Sequence, residues 1–186
     1  SKFIKKAADE SVTNNTLQND DDFVAAIGAN ETWVYRFTLH ATSSPSADIR
    51  FAVTAPSGAQ CGFLGGNTEG AEVITNTLPI SCGVTSSGIG FPSGHLGYEI
   101  VEITGSVING STAGNVTLQW AQNLTQADDT IVASSSYMLA FRIIGSDVAE
   151  VYYTDDNKVW PGTIVSSVGG INIKTSGSTD KAILGV

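Results

Sequence analysis

Three aspartates in a row, Asp20, Asp21 and Asp22, stand directly before the apolar run "FVAA". Clustered carboxylates can hold a divalent cation, move protons or mark a solvated turn. Neighbouring side chains in a strand point to opposite faces, so three consecutive aspartates do not converge on one ion unless the chain turns there. The spacing also lacks the alternating D-x-D-x-D-G order with which a loop wraps calcium. The triplet therefore reads as a solvated turn before a strand over 22–27, and Asp128–Asp129 and Asp155–Asp156 read the same way. His40 falls on the outward face of a strand and His95 in a glycine-flanked loop, neither placed as the base of a nucleophile. Two cysteines and two histidines without close paired spacing do not make a zinc set. There is no P-loop, dinucleotide fingerprint or G-x-S-x-G. Glu99 and Glu102, the nearest thing to a glycosidase pair, fall on opposite faces of one strand. The expectation is a protein with no catalytic residues, no metal and no cofactor.

The composition narrows the partners. The chain is 41% apolar and 15% charged, against about 25% charged in ordinary soluble domains, and Ser, Thr, Asn and Gly make up the polar balance. A net charge of −9 with nine Lys and Arg argues against nucleic acid, because displacing counterions from phosphates needs many cations. Lys2, Lys5 and Lys6 lie within the first six residues, so the body is more acidic than the total. No apolar run approaches the ~20 residues that cross a bilayer. "SKFIKKAADE" has no apolar signal-peptide core. The expected state is soluble and made in a cytoplasm, where a disulfide is disfavoured. Cys61 and Cys82 can pair across about twenty residues, but spacing does not decide it.

The elements that must position these residues are strands. In "TWVYRFTLH", Trp33, Tyr35, Phe37 and Leu39 point one way while Arg36, Thr38 and His40 point the other. Phe51 in "DIRFAVTAP", Leu118 and Trp120 in "NVTLQWAQ", and Tyr137 and Phe141 in "SYMLAFRII" repeat the pattern, giving a core of Trp33, Tyr35, Phe37, Phe51, Leu118, Trp120, Tyr137 and Phe141. Further strands are predicted at 70–78, 96–108, 148–153, 158–166 and 170–175, separated by Gly, Ser and Pro turns. This is an all-β chain, a sandwich or barrel. Residues 1–12 read as an N-terminal arm with helical spacing, 13–145 as the main domain and 146–186 as additional C-terminal strands. The arm is a candidate docking segment. Strands with apolar residues on both faces, such as Tyr98 and Ile100 against Val101 and Ile103, have more apolar surface than one core needs and predict self-association.

The segments "TLQNDDD", "ANETW", "DIRFAV", "VTLQWAQN" and "YMLAFRI" are similar to a domain recurring in structural proteins of tailed bacteriophages. The similarity spans roughly residues 7–144 and is most specific over Val116–Asn123. It implies a jelly-roll-like antiparallel β-sandwich, usually a homotrimer, on the virion. The expectation that follows is a non-enzymatic capsid decoration (cement) protein on the outer surface of the head, assembled in the host cytoplasm. Its partners would be itself and the phage major capsid protein, with no nucleic acid and no membrane. Lys2, Phe3, Ile4, Lys5 and Lys6 would contribute the docking contact. The alternative is a tail or baseplate module recognising host surface glycans through residues 61–94 or Trp160.

Overall fold

The computed structural model describes residues 1–67, 82–93 and 97–144, with strand backbone at 74–75, 80–81, 165–167 and 173–175. Ser1–Ile144 make one compact unit and Gly145–Val186 a second. The first contains β1 (Lys2–Lys5), β2 (Glu10–Val12), β3 (Gln18–Ile27), β4 (Thr32–Thr42), β5 (Ile49–Thr54), β6 (Gln60–Asn67), β7 (Ile74–Thr75), β8 (Ile80–Ser81), β9 (Glu99–Ile108), β10 (Gly114–Gln122), β11 (Thr130–Val132) and β12 (Tyr137–Ile143). The larger sheet runs β1-β12-β4-β9-β6-β7, with β11 joining β2 to β4 and β8 beside β6, while the smaller sheet runs β3-β10-β5. The strand pairings are antiparallel.

The two sheets pack as a sandwich because each strand alternates. β4 buries Trp33, Tyr35, Phe37 and Leu39 and exposes Val34 and Arg36. The facing layer is Phe23 and Ala25 of β3, Val116, Leu118 and Trp120 of β10, and Ile49, Phe51 and Val53 of β5. Phe23 meets Phe37 edge-on across the layers, with ring centroids 5.7 Å apart. Opposite Tyr35 on β9 stands Gly105, itself opposite Phe63 on β6. A Cβ at Gly105 would lie 2.3 Å from the Gly62 carbonyl and 2.5 Å from the Tyr35 hydroxyl. Only glycine lets the Tyr35 ring cross this strand and donate to the Gly62 carbonyl oxygen at 3.3 Å.

β12 turns the opposite way from the expected one. Its pairing with β4 sets Met138 against Phe37 and Ala140 against Tyr35. Cross-strand partners share a face, so Met138 and Ala140 enter the core. Tyr137 is half-buried and Phe141 is 50% exposed, so neither belongs to the core. Trp33, Tyr35, Phe37, Phe51, Leu118 and Trp120 are buried.

The N-terminus is corrected as well. In place of a helical arm, residues 2–5 form the strand β1 on β12, with Phe3 opposite Leu139 and Ile4 opposite Met138, and β2 pairs with β11. In the second unit, β13 (Val165–Ser167) and β14 (Ile173–Thr175) form an antiparallel pair. The strand expected over 148–153, most of that over 158–166, and His95 and Trp160 lie outside the described residues. Cys61 and Cys82 form a disulfide.

Candidate functional site

The aspartate triplet lies where β3 departs from regular pairing. Val24 stands opposite Thr117 and Asn19 opposite Gln119, so residues 20–23 of β3 face a single residue of β10. Such a bulge turns the chain and resets its alternation. Asp20 holds the bulge, its Oδ1 accepting the backbone N–H of Asp22 at 3.0 Å and of Phe23 at 2.9 Å. Its Oδ2 points into the sandwich, where it accepts from Lys6 Nζ at 2.9 Å and from Trp120 Nε1 at 3.1 Å. Lys6 Nζ also donates to Glu10 Oε2 at 2.6 Å and lies 3.8 Å from Asp22 Oδ2. The Phe23 ring centroid is 5.6 Å from the same nitrogen. Gln18 Nε2 steadies Glu10 through Oε1 at 2.8 Å.

The solvated-turn expectation is therefore corrected. Asp21 is exposed, but Asp20 is fully buried and Asp22 partly so. Two of the three, Asp20 and Asp22, do converge on a cation, and that cation is the ammonium of Lys6. Burial pushes the Lys6 ammonium down, but the hydrogen bonds it donates to Asp20 and Glu10 and their charges outweigh it, leaving its pKa raised above the ordinary 10.5. This also changes the docking segment: Lys6, with 2% exposure, belongs to the interior. Lys5 and Phe3 remain exposed, Lys2 and Ile4 partly so. No spacing signal links Lys6 to Asp20, because only the bulge brings the carboxylate inward.

A second feature is the outer face of the larger sheet. Phe3, Val34, Ile100, Ile108, Phe141 and Ile143 are exposed. The registers Phe3–Leu139, Val34–Phe141 and Thr32–Ile143 place part of this set side by side on β1, β12 and β4. The Phe3 and Tyr137 rings approach to 5.8 Å between centroids. An Arg36–Glu102 ion pair crosses from β4 to β9 on the same face. Further along, Leu64, Asn67, Ile100, Glu102 and Thr104 line a shallow groove of about 280 Å³.

The other sequence candidates are dispersed. His40 Nδ1 lies 2.6 Å from Ser135 Oγ at the surface. Glu99 is buried whereas Glu102 faces outward from the same strand, so the two do not face one another. Asp128 and Asp129 are exposed. Among the described residues no group of three or more His, Cys, Asp or Glu is arranged to hold a metal ion. No helix among them is long and apolar enough to cross a membrane. Comparison of the chain with protein-family models, with curated proteins and with solved structures finds no match.

Proposed function

We propose that this chain is a non-enzymatic structural protein of a tailed-bacteriophage virion, a homotrimer that decorates the outer surface of the head and clamps neighbouring major capsid proteins. The observation that carries this reading is the exposed apolar outer face of the larger sheet, built from Phe3, Val34, Phe141 and Ile143. Apolar side chains gathered on a sheet face favour association with a second protein surface. The phage-like segment Val116–Asn123 and the acidic, hydroxyl-rich composition support the same reading. A subunit that binds only the assembled, expanded shell stabilises it by mass action, without chemistry. Docking falls to Lys2, Phe3 and Lys5 on β1, since Lys6 is committed to the interior. The Cys61–Cys82 disulfide fits a subunit that folds in the host cytoplasm with free thiols and is oxidised once the particle is released.

The groove at Leu64, Asn67 and Glu102 favours a second reading, a tail or baseplate module that binds a host glycan. Labelled antibody on intact virions separates the two. Label distributed over the head supports decoration, and label confined to the tail tip overturns it in favour of receptor binding.

A further inference from the structure

We propose that Lys6 and Asp20 condense into an intramolecular isopeptide bond, an amide between Nζ and the Asp20 side-chain carbonyl carbon. The two groups are already in contact, Nζ lying 2.9 Å from Oδ2, and their side chains are 1% and 0% exposed. Holding the reactants together in this way replaces an encounter in solution with a unimolecular step. Asp20 is also polarised asymmetrically. Oδ1 receives two backbone N–H groups, from Asp22 and Phe23, an arrangement that stabilises the oxyanion of a tetrahedral intermediate. Oδ2 receives Trp120 Nε1–H and is left as the departing oxygen. Glu10 Oε2, 2.6 Å from Nζ, is placed to accept a proton from it. Among the described residues Glu10 accepts only from the side chains of Lys6 and Gln18, whereas Asp20 has a pair of backbone donors, and this singles out Asp20 as the electrophile.

The ammonium first gives a proton to Glu10, freeing the nitrogen lone pair. Glu10 hands that proton to Oδ2, Nζ attacks the carbonyl carbon, and the negative charge collects on Oδ1 between the two N–H groups. The nitrogen then loses a second proton through Glu10. Both protons end on Oδ2, the C–Oδ2 bond breaks and water leaves. One ammonium and one carboxylate become one amide and one water, with no change in net charge or oxidation state and no co-reactant. Glu10 ends in its starting form. Burial excludes the bulk water that would reverse the step. The chain would acquire a covalent tie between the segment after β1 and the bulge of β3, independent of the disulfide and of the proposed virion role.

Intact-mass measurement of the purified full chain, reduced and denatured, tests this, followed by fragmentation of its proteolytic peptides. The expected result is a mass one water below that of the sequence, and a branched peptide joining Lys6 to Asp20. Asp20→Ala and Lys6→Arg are expected to show the full mass. Glu10→Gln is expected to condense more slowly than wild type. A wild-type chain of full mass, whose Lys6 amine reacts with an acylating reagent after unfolding, overturns the proposal. So does a water loss without the branched peptide, which marks cyclisation at an aspartate elsewhere. A Glu10→Gln chain that condenses at the wild-type rate overturns the role given to Glu10.

Discussion

Lys6 touches three carboxylates from inside a sandwich of aromatic side chains, and this sets what its removal does. Replacing one member of a buried ion pair leaves the other charged and desolvated, at a cost of about 3–5 kcal/mol. Lys6→Met, which removes this pair and with it the proposed amide, is expected to destabilise by at least that amount in a urea melt, whereas a peripheral arm residue would change nothing. Trp120, with 0% exposure, donates to the same Asp20 oxygen, and Trp120→Ala is expected to cost ~3–5 kcal/mol in the same assay. Burial raises the Tyr35 pKa, so the neutral phenol is favoured in the folded chain. Its contribution is whole below the ordinary value of 10.0 and falls as pH rises above it. Alkaline melts should therefore lose stability from about pH 10 upward, and Tyr35→Phe should blunt that loss. Trp120 was legible in the alternation of "NVTLQWAQ". The Lys6–Asp20 contact was not, because strand periodicity assigns faces only while pairing is regular, and β3 breaks its pairing at that point.

Strand faces depend on register, and β12 illustrates where the sequence stops informing. "YMLAFRI" has apolar residues at both parities, so alternation alone cannot choose between Tyr137, Leu139, Phe141 and Met138, Ala140. Pairing with β4 makes the choice, and Phe141 becomes surface. β4 posed no such ambiguity, since Arg36 and His40 mark its outer face in the sequence. The β1 strand was illegible for a related reason: four residues carry too little pattern to separate a helical spacing from an edge strand. Between β4 and β6, Gly105 is fixed by the Tyr35 ring and the Gly62 carbonyl. Gly105→Ala is expected to cost about 1–3 kcal/mol, read by thermal unfolding, with the backbone of β9 displaced. The disulfide closes a separation of 21 residues, and by loop-closure entropy its reduction should lower stability by about 3 kcal/mol in a denaturant titration.

For the whole molecule, the all-β class followed from composition and alternation, while the outer-face patch emerged only once register had placed Phe3, Val34, Phe141 and Ile143 together. The proposed trimer rests on Val34, Phe141 and Ile143 of that patch being an interface between copies of the chain, with Phe3 left to the capsid contact. With a net charge of −9, separate copies repel at long range, so association has to come from apolar burial and should strengthen with added salt. Light scattering coupled to size exclusion, at micromolar concentration, measures this directly. The account predicts three times the 19.3 kDa chain mass for wild type, and the single-chain mass for a folded Phe141→Asp variant. A wild-type protein that elutes at 19.3 kDa across the micromolar range would contradict it.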